Sequence, residues 1–184
     1  PMTQPFAIFT LRRSGGTAFT EFLAGLQRPA PVLHEPLNAD RIWGEVTKSF
    51  REAWDRRALS EALDQKLAAR PSFKHCVEVV PVGVTDALIA ACAARGYRMI
   101  VLQRASEGER LKSLFLAMST GAWGANQAEQ IYPDLQAGKS KPKFVPIDTI
   151  EARRKADIGT LGRAVLQIRA VQADFDWVLF EDIY

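Results

Sequence analysis

The apolar residues of this chain fall into five short runs, at residues 6–11, 32–33, 72–80, 98–103 and 177–180. Each run is rich in aliphatic or aromatic side chains and stops at a turn or a charged residue, which is typical of strands buried inside a sheet. Strands that alternate with helical patterns predict an α/β protein. We expect a central parallel sheet of four to five strands, joined by right-handed crossovers and flanked by helices in a three-layer arrangement.

The spacing of apolar residues predicts where the helices lie. From Thr17 onward these residues recur every three or four positions, so we expect a helix there that ends at Gly25 and Pro29. Residues 40–70 are polar with periodic apolar positions and predict a helical segment that covers the sheet. Further helices are expected at 85–95, around 111–123 and at 150–175. The Pro, Lys and Gly content of residues 126–149 predicts a long loop.

Composition narrows the class of protein. With 184 residues, of which 47% are hydrophobic and 24% charged, the chain has the profile of one globular domain over residues 1–184. A net charge of +3, without basic runs, is too small to indicate nucleic acid binding. Two isolated cysteines predict reduced core residues. The first residues do not show the charged and apolar pattern of a leader, and the sequence contains no run of 18 apolar residues, so neither secretion nor a membrane span is expected. We therefore expect a cytoplasmic protein without a membrane span; its oligomeric state stays open.

The turn after the first predicted strand is suited to anions. Residues 13–17 read Arg-Ser-Gly-Gly-Thr and lead into a helix, so backbone N–H groups and the helix N-terminus can approach a phosphate. This is a P-loop-like arrangement, although the usual P-loop lysine is absent before Thr17. Arg13, next to Arg12, instead offers a guanidinium fork that binds oxyanions bidentately. The simpler alternative is a tight turn followed by a helix cap.

This loop resembles the 5′-phosphosulfate loop of sulfotransferases that use 3′-phosphoadenosine 5′-phosphosulfate. The resemblance covers Arg12, Arg13, Ser14, Gly15, Gly16 and Thr17, with Gly16 in place of the commoner serine. A second match follows the strand at 98–103: the family binds the donor's 3′-phosphate with an arginine at a strand end and a serine in the next helix, which implies Arg104 and Ser113. The ending Thr120-Gly121-Ala122-Trp123 is most similar to the bacterial trehalose sulfotransferase branch.

A weaker match lies at residues 178–183, Val-Leu-Phe-Glu-Asp-Ile, which resemble the family's Tyr-Glu-Asp-Leu segment. An alternative interpretation is a Walker-B-like strand in which Asp182 holds magnesium. The family usually continues well beyond this segment. The resemblance therefore implies that the carboxyl-terminal part of the family fold would be missing here, and we expect either a naturally short chain or a fragment.

The resemblance also indicates a general base. Glu35 follows the second predicted strand, as the acidic base of the bacterial family does, and His34 would be its neighbour or a substrate contact. His75 is the rival, because cytosolic sulfotransferases carry Lys-Thr-His in a comparable place. Lys74 and His75 are adjacent in a strand, so they point to opposite faces and only one of them can address the donor. Lys74 would reach the transferring sulfonate.

Together these features predict a metal-independent transfer of a sulfuryl group to a hydroxyl of a carbohydrate or small metabolite. Trp43 and Trp54, in the covering segment, are candidates for the acceptor pocket or for the core. Two other functions stay open: a P-loop nucleotide kinase or triphosphatase, which would need a phosphate-loop lysine and magnesium, and a non-catalytic nucleotide-binding protein with a degenerate sulfotransferase fold.

Overall fold

A computed structural model describes residues 4–26 and 32–183. Its five strands are Phe6–Thr10 (β1), Val32–His34 (β2), Ser72–Cys76 (β3), Arg98–Gln103 (β4) and Phe175–Leu179 (β5). They form one sheet in the order β2-β3-β1-β4-β5, and every neighbouring pair is parallel. The predicted α/β fold with a central parallel sheet of four to five strands is confirmed.

Within the described residues, seven helices connect or follow the strands. They are Gly16–Leu26 (α1), Gly44–Ala53 (α2), Arg56–Lys66 (α3), Val82–Ala94 (α4), Glu107–Thr120 (α5), Ala125–Gln136 (α6) and Ile147–Ala170 (α7). A short 3-10 turn, Phe180–Asp182, follows β5. Side-chain caps explain two of the helix starts: Asp55 accepts from the backbone N–H groups of Arg57 and Ala58, and Ser106 accepts from that of Glu109.

The chain divides into two compact units. The first comprises the described residues of Pro1–Ala105 and Asp157–Tyr184 and contains the whole sheet. The second is Ser106–Ala156, which contains α5, α6 and the first part of α7.

The three inner strands of the sheet, β3, β1 and β4, are buried on both faces, and alternation along β1 shows how. Phe6 and Ile8 pack on one side with Phe19 and Leu23 of α1. Their neighbours in β1 point to the opposite side and join a larger cluster with residues of α2, α3, α4 and the end of α7, including Phe9, Phe50, Leu63, Leu88 and Ile168. Successive side chains of a strand alternate between faces, so a parallel sheet covered by helices requires apolar residues at both sets of positions.

The first helix ends at Leu26, within the stretch from Gly25 to Pro29 where its end was predicted, and Pro29 itself lies outside the described residues. Two other predictions were wrong. The strand predicted over residues 72–80 ends at Cys76, where its neighbour β1 ends at Thr10, so no ladder partner exists farther on. Residues 125–136 form α6 although a loop was predicted, because the Pro, Lys and Gly residues that suggested a loop are concentrated after Gln136.

Candidate active site

The candidate site lies where the parallel strands end. The turn from β1 to α1 carries two left-handed residues, Arg13 at φ 67° and Gly15 at φ 78°. A Cβ at Gly15 would overlap the ring of Phe180, so a side chain at this position would require that ring to move. A Cβ at Gly16 would lie 2.7 Å from Cδ of Lys74. The two glycines therefore allow Phe180 and Lys74 to approach the loop backbone closely.

Ser14 is buried in this loop, with 1% of its surface accessible. Within the part of the chain that the structure describes, its hydroxyl oxygen is buried without a hydrogen-bond partner. A buried hydroxyl in that state costs about 1–3 kcal/mol, unless a ligand supplies the missing bond. The unsatisfied hydroxyl and the glycine cradle both fit an oxyanion at the start of α1.

The cation that the loop sequence lacks comes from the neighbouring strand. Lys74, in β3, extends its ammonium group to the Thr17 hydroxyl at 3.1 Å and to a carboxylate oxygen of Glu35 at 2.7 Å. Its side chain is only 7% exposed. A buried ammonium group at the first turn of α1 can serve an anion in the same way as a P-loop lysine, although it belongs to a different segment of the chain.

Glu35 directly follows β2 and adopts a left-handed backbone at φ 52°. Its second carboxylate oxygen accepts from the Asn38 side-chain amide at 2.7 Å. Burial acts to raise the pKa of Glu35, but the charge of Lys74 and the hydrogen bonds from Lys74, Asn38 and Cys76 outweigh it, so the pKa is lowered. Glu35 is thus an ionised proton acceptor at neutral pH.

The two histidines differ in position. His75 is completely buried, and its Nε2 lies 2.9 Å from the Thr85 hydroxyl. Burial lowers the pKa of His75 to about 4, so the ring is neutral at physiological pH. It packs edge-on against Phe9, its register partner in β1, whereas Lys74 is paired with Ile8 on the opposite face. His34 ends β2, and burial, followed by the charge of Lys74, lowers its pKa as well.

Sequence reasoning missed a carboxylate that holds the start of the loop between β1 and α1. Glu78 accepts with one oxygen from both the backbone N–H of Arg12, at 2.8 Å, and its Nε–H, at 3.0 Å. The Glu78 side chain is almost fully buried. The sequence feature that could have identified this carboxylate is an acidic residue inside the otherwise apolar sequence Val77-Glu78-Val79-Val80. The apolar pattern predicts a strand over these residues. In the structure this residue belongs to the turn after β3 and fixes the start of the loop.

The segment after β5 forms a third set of contacts. Glu181 accepts from Nε of Arg104 at 3.3 Å and from the backbone N–H of Ala105 at 2.8 Å. The Arg104 guanidinium carbon lies 5.3 Å from the centre of the Phe180 ring, a cation–π distance. Ser113, the second residue expected at the 3′-phosphate, lies in α5 of the second unit.

Of the two tryptophans considered for an acceptor pocket, Trp43 is buried in the core against Phe73. Trp54 is 66% exposed and stacks on Phe50 at a centroid distance of 5.2 Å. It lines a groove of about 510 Å³ that also includes Val82 and Arg163. The structure therefore retains only Trp54 as a surface group available to a ligand.

Comparison with family models and with curated proteins finds no match for this chain. Within residues 4–26 and 32–183, no group of three or more His, Cys, Asp or Glu side chains is arranged to hold a metal ion. None of the helices described combines the length and apolar character needed to cross a membrane. The functional interpretation therefore depends on the geometry of the loop and its neighbours.

Proposed function

We propose that this chain is a sulfotransferase that moves a sulfuryl group from 3′-phosphoadenosine 5′-phosphosulfate to a hydroxyl of a carbohydrate or small metabolite. The observation that carries this proposal is the position of Lys74, whose ammonium group contacts both the phosphate-loop Thr17 and the carboxylate of Glu35. An oxyanion cradle and a proton acceptor thus share one cation, as transfer from a phosphate leaving group to a hydroxyl would need.

The donor supplies the sulfuryl group and a phosphate leaving group. Glu35 accepts the proton of the acceptor hydroxyl as that oxygen forms its bond to sulfur and the bond between sulfur and the 5′-phosphate oxygen breaks. The loop N–H groups, Arg13 and Lys74 stabilise the negative charge that develops on the leaving oxygen. The Ser14 hydroxyl supplies a further donor. Adenosine 3′,5′-bisphosphate and a sulfate ester are the products.

The fit of the loop to the donor's 5′ side rests on its own features, namely the buried Ser14 hydroxyl and the close approach of Lys74 to the backbone at Gly16. Arg104 would bind the 3′-phosphate. Two observations on this arginine agree with that role: it directly follows β4, and Glu181 contacts only its Nε.

Isothermal titration with adenosine 3′,5′-bisphosphate tests the donor site. We expect binding that does not need magnesium, weaker binding of ADP, and a loss of affinity in Arg104→Ala. A lack of bisphosphate binding, or an affinity unchanged in Arg104→Ala, would overturn the assignment. Turnover of radiolabelled donor over a panel of hydroxyl acceptors then separates a sulfotransferase from a non-catalytic binding protein.

A nucleotide kinase or triphosphatase is the second candidate, and the position of Lys74 is what favours it. The loop itself has no lysine, yet a lysine ammonium reaches Thr17 from β3. This function predicts tighter binding of ATP with magnesium than of the bisphosphate, and release of phosphate from ATP. The same titration series therefore distinguishes the two proposals.

A further inference from the structure

The contacts of Arg104 suggest that its side chain is held in place before any ligand arrives. Glu181 accepts from Nε of this guanidinium and, with its other oxygen, from the backbone N–H of the next residue, Ala105. One carboxylate thus binds both the Arg104 side chain and the Ala105 backbone, directly after the end of β4. The Phe180 ring lies against the guanidinium and restricts its plane.

The two terminal nitrogens of Arg104 are the atoms with which an arginine forms paired bonds to a phosphate. Within the described residues, neither terminal nitrogen of Arg104 has a hydrogen-bond partner, and 27% of the side chain is exposed. A guanidinium anchored at Nε presents its terminal N–H groups in one direction, where they can form paired bonds to an oxyanion. Holding the side chain in advance also reduces the entropy lost on binding.

Phe180 connects this arginine with the phosphate loop. Its ring lies against Gly15, where a Cβ would overlap it, and also against Arg104. One aromatic ring therefore lies between the two groups that would bind anions. The size of this ring limits how closely the loop and the guanidinium can approach each other.

We propose that Glu181 and Phe180 are positioning residues that set the spacing between the phosphate loop and Arg104, and so make the protein selective for a nucleotide phosphorylated at both the 3′ and 5′ positions. This inference rests on the proposed function, because it assumes that Arg104 binds the 3′-phosphate. It differs from a simple counter-ion role, in which Glu181 would compete with the ligand for Arg104.

Isothermal titration with adenosine 3′,5′-bisphosphate and with adenosine 5′-monophosphate measures this selectivity as a ratio of dissociation constants. We expect Glu181→Ala to reduce the ratio by about tenfold, the effect of losing one charged hydrogen bond. Monophosphate affinity should stay within about twofold. Glu181→Gln keeps an oxygen acceptor for Arg104 or Ala105 and should restore most of the ratio, while Phe180→Leu should weaken both ligands. If Glu181→Ala does not fold, Glu181→Asp, whose shorter side chain cannot reach both Arg104 and Ala105, should reduce the ratio in the same way.

Asp176→Ala is the matched control, because Asp176 of β5 forms an ion pair with Arg98 of β4, at 2.7 Å, whereas Arg104 and Glu181 follow the ends of these two strands. The Asp176→Ala variant should show the same ratio of dissociation constants as the wild type. In an Arg104→Ala background, Glu181→Ala should have no further effect on the ratio. An unchanged ratio of dissociation constants in Glu181→Ala would overturn the inference. Tighter bisphosphate binding in both Glu181→Ala and Glu181→Gln would overturn it as well. Failure of the wild type to prefer the bisphosphate would instead overturn the proposed function.

Discussion

The Lys74 ammonium group lies 2.7 Å from a carboxylate oxygen of Glu35 and 3.1 Å from the Thr17 hydroxyl. These three residues come from the turn after β2, from β3 and from the start of α1. The parallel register that pairs His34 with Lys74 brings the first two together. Lys74 is thus the counter-ion of Glu35 and a cation beside the loop between β1 and α1, so a change at Lys74 should affect stability and, under the proposed function, donor binding.

Lys74→Met should lower the free energy of unfolding by about 3 kcal/mol at pH 7, because it leaves a largely buried carboxylate without its partner. Affinity for adenosine 3′,5′-bisphosphate should also fall, by about tenfold or more, since a charged hydrogen bond is lost. Urea unfolding and isothermal titration measure the two effects. Lys66→Met is the control, because Lys66 pairs with Glu45 at the same 2.7 Å distance but at the surface. An equal loss of stability in both variants would contradict the prediction.

Glu35→Gln should separate binding from turnover. The amide keeps an oxygen acceptor for Lys74 or Asn38 but cannot take up the acceptor proton, so turnover should fall by about 10²–10⁴-fold. The dissociation constant for the bisphosphate should change much less. His75→Gln should retain turnover once its folding is verified, because the histidine ring is buried on the other face of β3. Full activity in Glu35→Gln together with loss in His75→Gln would assign the base to His75.

Stability should depend on pH through His75. The pKa of His75 is about 4 in the folded protein, against 6.5 for an ordinary histidine, the value taken for the unfolded chain. The stabilisation from the neutral ring is therefore fully present above pH 6.5 and is lost as the pH falls toward 4. Between pH 6.5 and 5 this amounts to about 2 kcal/mol, a range in which most carboxylates stay ionised. Urea unfolding of the wild type should show this decline, and His75→Gln should not. Parallel curves for the two proteins would refute the prediction.

Gly15→Ala should be far more harmful than a comparable glycine substitution elsewhere. Both Gly15 and Gly96 have a positive φ, but a Cβ meets the Phe180 ring at Gly15 and nothing within 4 Å at Gly96. Gly96→Ala should therefore cost about 1 kcal/mol for the backbone alone. Gly15→Ala should cost more and abolish bisphosphate binding, and adding Phe180→Ala should recover part of the lost stability. Thermal unfolding and titration of the three variants check this, and equal effects of the two single substitutions would contradict it.

The sequence by itself determined the fold class, the turn after the first strand and the direction of neighbouring side chains within a strand. Apolar runs alternating with helical periods predicted a parallel α/β sheet, because strands buried on both faces need apolar residues at successive positions. Local backbone chemistry likewise determined the glycine turn after β1. The opposite orientation of Lys74 and His75 also followed from strand geometry alone, since adjacent side chains of a strand alternate. In the structure these two residues are paired in register with Ile8 and Phe9 respectively.

Only the tertiary structure decided which distant residues meet at the loop. The order β2-β3-β1-β4-β5 places the segments after four strands around β1, and this order does not follow from any local pattern. It brings Lys74 to Thr17 across 57 residues and Glu78 to Arg12 across 66. It also pairs Glu181 with Arg104 across 77 residues. Such contacts depend on strand order and register, which arise from packing of the whole sheet and not from the residues that carry the chemistry.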